Sequence, residues 1–128
     1  MPGVPKLGLT YTRQQINEML GGGVQSFLPM KNARVMCGCF QLETNPNAPD
    51  EVLVAAGPQR ENRARTAVLQ LTPFPVFLRE GANDWKFIGK YRATRYLHRE
   101  HRFLEGDPRL ADEKLAGILS MEKYEEVV

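Results

Sequence analysis

Leu20-Gly21-Gly22-Gly23-Val24-Gln25-Ser26-Phe27-Leu28-Pro29 and, much later in the chain, Trp85-Lys86-Phe87-Ile88-Gly89-Lys90-Tyr91-Arg92 are the two stretches on which the reading of this sequence turns. The first is a helix exit that runs into a loop with an exposed backbone, and the second is an aromatic, basic strand. Set face to face, they would form two walls of a pocket for something flat attached to an anion, which is the shape of a nucleotide.

Upstream of the glycines, Thr12-Arg13-Gln14-Gln15 has the form of a capping box, and Ile16, Met19 and Leu20 then recur at helical spacing. A short helix is expected to start at Thr12 and to end at the glycines. One glycine closes a last turn; two more mean that the backbone takes unusual dihedrals or that something approaches it closely. Downstream, residues 34–40 predict one central strand, apolar on both faces. Residues 43–50, with two prolines, predict a loop, and residues 51–56 a second strand that turns at Gly57-Pro58.

Residues 60–71 predict a helix with Ala64, Ala67, Val68 and Leu71 on one side, bounded by Pro73 and Pro75. Residues 76–79 predict a third strand, joined through the turn chemistry of residues 80–84 to the Trp85–Tyr96 strand as a hairpin. Asp107-Pro108 reads as a helix start, followed by Leu110, Lys114, Leu115, Ile118 and Leu119 in a mostly apolar stripe. Residues 105–128 are therefore expected to form an acidic C-terminal helix, docked on a body formed by residues 1–104 or paired with a partner chain as a homodimer.

Of the 128 residues, 42% are hydrophobic and 25% charged, a globular composition for a single domain. No apolar run approaches the length of a membrane span, and the N-terminus lacks the form of a signal peptide, so the expected location is intracellular: nucleus in a eukaryote, cytoplasm in a bacterium. No membrane partner is expected. Residues 1–104 hold 14 Lys and Arg against 8 Asp and Glu, and residues 105–128 hold 3 against 7. A basic body with an acidic end suits a polyanionic ligand; ordinary solvated surface is the plainer reading.

With these segments in place, "GGGVQSFLP", "DEVLVAAGP", "PVFLR" and "WKFIGKYR" resemble the PUA-like superfamily, the group with SRA, EVE and ASCH modules, over about residues 10–97. Similar small modules occur alone or fused to HNH-type nucleases. The resemblance implies an α+β fold, a small curved, mostly antiparallel PUA-like β-barrel with flanking helices. It also implies a pocket for a nucleobase, modified cytosine in DNA for SRA-like modules and modified RNA for other members. Extruding a base costs a few kcal/mol, which stacking and edge hydrogen bonds must return.

On this reading Gln25, Ser26 and Phe27 of the loop and Trp85 and Tyr91 of the strand are the candidate base contacts, by amide and hydroxyl chemistry and by ring stacking. Gly22 and Gly23 offer amides to a phosphate, and Arg60, Arg63, Lys86, Lys90, Arg92 and Arg95 are the candidate phosphate cations, the last four in a basic run that continues to Arg99 and Arg102. For each there is a plainer alternative: a capped helix and tight loop, core rings, a solvated basic edge.

Cys37-Gly38-Cys39 and His98-Arg99-Glu100-His101 hold four zinc-ligand types, but two cysteines on one strand face lie awkwardly for tetrahedral chelation. Buried thiols are the preferred reading, and no metal or cofactor is expected. No nucleophile with a neighbouring base and no deaminase pattern stands out. The sequence therefore points to a non-catalytic nucleic-acid-binding module reading a modified base, with DNA favoured over RNA. A protein-interaction or self-assembly module is the alternative, and a small hydrolase acting on nucleotides a weaker one.

Overall fold

A computed structural model describes residues 3–99 and 108–124 of the chain. In chain order the elements are β1 (Thr10–Tyr11), α1 (Arg13–Leu20), β2 (Met30–Lys31), β3 (Arg34–Val35), β4 (Gly38–Phe40), β5 (Glu51–Ala55), α2 (Pro58–Gln70), β6 (Phe74–Gly81), β7 (Asp84–His98) and β8 (Leu115–Lys123), with a 3-10 turn over Pro108–Ala111. The main sheet runs β4-β6-β7-β8-β5, with β1 also pairing β7, and β2 and β3 form a separate hairpin. Among the described residues, only the β4–β6 pair is parallel. The expected α+β, mostly antiparallel architecture is present, and its path ends at β4 and β5, which do not pair among the described residues, so the barrel is not closed. No helix among the described residues is long and apolar enough to cross a membrane.

Two irregularities in β7 decide which side chains face what. Between the Val76↔Gly89 and Phe77↔Phe87 pairs, β7 carries one extra residue, Ile88, and between Ala93↔Met121 and Arg95↔Ser120 it carries another, Thr94. Each extra residue reverses the alternation. Before the first, Trp85 and Phe87 join one buried cluster with Ile16, Cys37, Cys39 and Phe77; after it, Tyr91 and Ala93 join the larger cluster with Ala64 and Ala67 of α2. Cys39 and Phe40, neighbours in β4, fall in different clusters, so the clusters lie on the two faces of the sheet.

The expected strand over residues 34–40 is two strands: β3 folds back on β2 through the turn at Asn32 and Ala33, φ 53° and 62°, with Met36 N–H donating to Pro29 O, whereas β4 pairs with β6. The expected C-terminal helix is a correction of a larger kind. Leu115–Lys123 is a central strand between β7 and β5. A strand covered on both faces reads as a continuous apolar run, and such a run imitates a helical stripe at i and i+4. Gly117 fixes the choice: a Cβ there would meet Leu97 O and come within 2.6 Å of the Tyr96 ring, so the neighbouring strand lies hard against it. A homodimer built on a C-terminal helix loses its element. Asp107, Arg102 and His101 lie outside the described residues.

Candidate nucleic-acid interface

The capping box forms as read: Thr12 Oγ1 accepts from Gln15 N, and Gln15 Oε1 accepts from Thr12 N. α1 ends where Gly21 N–H donates to Asn17 O. Gly21, Gly22 and Gly23 then take φ values of 83°, 95° and 92°, three consecutive residues in the region that favours glycine. At Gly22 there is also no room, since a Cβ would lie 2.6 Å from Pro29 Cβ and 2.8 Å from the Pro29 carbonyl carbon. The loop thus doubles back on itself at Pro29.

Five further bonds pin it. Asn17 Oδ1 accepts from Gly23 N at 2.9 Å, Ser26 Oγ from Leu28 N at 3.2 Å, and Phe27 O from Cys39 N at 2.9 Å. Arg63 of α2 donates to Leu28 O at 2.9 Å, and Arg13 donates to Ser26 O at 2.8 Å. Arg13, 7% exposed, opens α1 and lies 5.2 Å over the Trp85 ring, with its backbone N–H on Asn83 Oδ1. Sequence reasoning missed Arg13, which reads only as the first residue of a capped helix.

Between this loop and α2 lies a cavity of about 1090 Å3. Gly22 to Phe27 form one wall; Gly57 to Arg60 and Arg63 form another; Thr44, Asn45, Leu53, Ala55 and Leu115 complete it. Gln25 and Arg60 are exposed, and Phe27 is half-buried against the larger core cluster. No carboxylate and no histidine lines the cavity among the described residues. It therefore offers amides, hydroxyls, guanidinium groups and one aromatic ring, a set that pairs with a base edge, stacks on a base and attracts an anion. Thr44 and Asn45 were invisible as site residues, because a polar proline-flanked loop carries no signal of what it faces. Asn45 Oδ1 is itself held by Leu53 N at 2.7 Å.

The structure thus brings Gln25, Ser26, Phe27, Gly22, Gly23, Arg60 and Arg63 to one cavity and leaves the β7 residues elsewhere. Trp85 and Tyr91, 6% and 8% exposed, are core rings, which corrects their assignment as base contacts. Trp85 serves as a platform for Arg13 and Arg79. The Gly23 amide is taken by Asn17, so it is not offered to a phosphate. Lys90, Arg92 and Arg95 are exposed. Lys90 and Arg92 alternate with the buried Tyr91 and Ala93, and the bulge at Thr94 brings Arg95 to that same face, away from α2. Lys86 lies 3.7 Å from Glu80. These four cations do not adjoin the cavity.

Among the described residues Cys37, Cys39 and His98 do not converge. Cys37 and Cys39 are buried on the face remote from α2, where the Cys37 thiol is pushed up by its hydrogen bond to Cys39 and by burial. His98 is 3.0 Å from Glu61 of α2. Glu61 also accepts from Gly57 N at 3.1 Å, closing the start of α2 at the cavity wall. That amide bond, reinforced by His98 and opposed by burial, holds the carboxyl below its ordinary value of 4.5. A depressed acid contributes stability that is fully present above the unfolded value and is lost as pH falls through the folded one. Glu61→Gln is expected to cost about 1 kcal/mol at neutral pH, a fall of a few degrees in Tm. The difference from the parent should shrink as pH drops below 4.5. A constant difference down to the acid transition would show that the charge contributes nothing.

Residues 10–106 match the family described as "Domain of unknown function (DUF6697)". No curated protein sequence matches at a significant level. Among solved structures, the SUVH5 SRA domain in complex with hemi-methylated CG DNA is similar at a TM-score of 0.63 and 12% identity, with 97% of this chain and 93% of that chain covered. SUVH5 SRA with methylated CHH DNA gives 0.61 and 13%, and SUVH5 SRA bound to fully hydroxymethylated CG DNA gives 0.59 and 12%, over the same shares. At such identities the likeness is one of fold: this chain has the PUA-like fold of SRA domains.

Proposed function

For a chain that belongs to the DUF6697 family, a domain of unknown function, we propose a role as a non-catalytic module that reads a modified base in DNA by taking the nucleotide into the cavity between the glycine loop and α2. The observation that carries this is the convergence of residues distant in sequence, Gln25, Ser26 and Phe27 with Arg60 and Arg63, on one cavity free of carboxylates among the described residues. The SRA fold supports it, since the similar SUVH5 domains were solved with methylated or hydroxymethylated DNA. Phe27 stacks on the base, Gln25 and Asn45 meet its edge, and Arg60 meets a phosphate. Arg63 holds Leu28 and faces the same cavity.

Fluorescence anisotropy with matched duplexes carrying unmodified, methylated or hydroxymethylated cytosine tests the reading. Gln25→Ala is expected to narrow the affinity ratio between modified and unmodified duplex. Arg60→Ala should weaken all of them alike and reduce the salt slope by about one. Equal effects of the two substitutions on every duplex would remove base reading and leave a basic surface.

A further inference from the structure

A second groove, of about 840 Å3, shares no lining residue with the cavity. Its surface is apolar, with Val4, Met36, Pro73, Phe74, Pro75 and Tyr124, and its rim carries Lys31, Arg34 and Lys90. No carboxylate lines it among the described residues. Val4 and Tyr124 are 79% and 43% exposed, which leaves apolar surface uncovered beside three cations. One wall is built in advance. Gln70 of α2 clamps the hairpin through both backbone groups of Val35, accepting at 2.8 Å and donating at 3.2 Å, and Arg34 donates to Thr72 Oγ1. A preformed groove spares its occupant the cost of ordering it.

We propose that this groove docks an extended segment of a partner protein in which apolar side chains alternate with aspartate or glutamate. Charge complementarity selects that chemistry: the apolar surface takes the aliphatic or aromatic side chains, and Lys31 and Arg34 face the acids. The mode is insertion of side chains, because Pro73 and Pro75 have no N–H to offer a strand added along the start of β6. A second copy of this chain is disfavoured, since a two-fold contact would set this cationic rim against itself. A nucleic acid is disfavoured because Phe74 and Phe87 are buried and Tyr124 is the one exposed aromatic ring among the described lining residues, the rest of the apolar surface coming from Val4, Met36, Pro73 and Pro75. This inference stands apart from the proposed base reading.

The test is selection of a displayed library of random dodecapeptides on the full chain, with counter-selection on Lys31→Glu/Arg34→Glu. Enriched peptides are expected to combine Asp or Glu with Leu, Ile or Phe and to bind the parent roughly tenfold or more tightly than the double variant. The double variant should keep the parent's thermal transition and its oligonucleotide binding, because both residues lie outside the cavity. Tyr124→Ala, milder at an exposed position, should weaken the same peptides should the double variant fold poorly. Peptides without acids, or no enrichment beyond the double variant, would overturn the proposal. So would loss of oligonucleotide binding in the double variant, which would make the groove a DNA surface, or loss of a concentration-dependent dimer, which would assign it to a second copy.

Discussion

Gly22→Ala is expected to abolish most oligonucleotide binding while leaving a folded, less stable protein. Two costs add at this position. A residue with a Cβ at φ 95° pays on the order of 1 kcal/mol or more for the left-handed conformation. The new methyl would also lie 2.6 Å from Pro29 Cβ and 2.8 Å from the Pro29 carbonyl carbon, and neither the proline ring nor the backbone can swing away as a flexible side chain would. The loop must therefore open, and Gln25, Ser26 and Phe27 move with it. A loss of about 2–4 kcal/mol in stability from urea unfolding is expected, with a fall of tenfold or more in affinity. Gly23→Ala is the control. Its φ of 92° imposes the same strain, but no atom lies within 4 Å of the new methyl. Gly23→Ala should cost only about 1 kcal/mol. Equal effects at the two positions would mean that the approach of Pro29 plays no part.

Arg13→Ala should have the second large effect, through the same loop from its other side. Removing the guanidinium leaves Ser26 O without its donor and opens space beside the Trp85 ring, where Arg13 lies at 5.2 Å. An orphaned, partly buried carbonyl and a cavity together are expected to cost about 2–4 kcal/mol. Arg13→Lys separates charge from shape: a lysine keeps the cation but not the planar fork that stacks on a ring while reaching a carbonyl. Trp85 is the one tryptophan of the chain, so its emission reports this contact directly. Arg13→Lys is expected to shift that emission and to weaken DNA binding without touching a ligand. Unchanged emission with unchanged binding would show that the loop holds without Arg13.

What the sequence made legible was local. Thr12 and Gln15 announce their cap, and three glycines announce strain, because both are settled within a few residues of chain. Partner choice was not local. Trp85, Phe87 and Tyr91 alternate as a strand should, but only the clusters on both faces of the sheet show that the ring-bearing side of β7 is interior. Arg92 and Arg95, three residues apart, share a face only through the bulge at Thr94, which the basic run does not reveal. The run through Leu115, Ile118 and Leu119 fits a helix and a buried strand equally by pattern, and the free edges of β7 and β5 decide it. Arg60 and Arg63 read correctly as a pair on one helix; that the glycine loop lies across from them is a fact of topology. Asn45 entered the cavity in the same way, by the folding of a loop.

Extrusion of a base into the cavity is measured most directly with 2-aminopurine placed beside the modified cytosine in a short duplex, its fluorescence followed during titration at fixed salt. Loss of its stacking neighbour should raise the signal in step with anisotropy for the parent protein, and Gly22→Ala, brought to saturation, should give no rise. Saturable binding of the parent with unchanged fluorescence would contradict the proposal, since the DNA would then lie on the protein with its bases still stacked and the cavity between the glycine loop and α2 would not be the reading site.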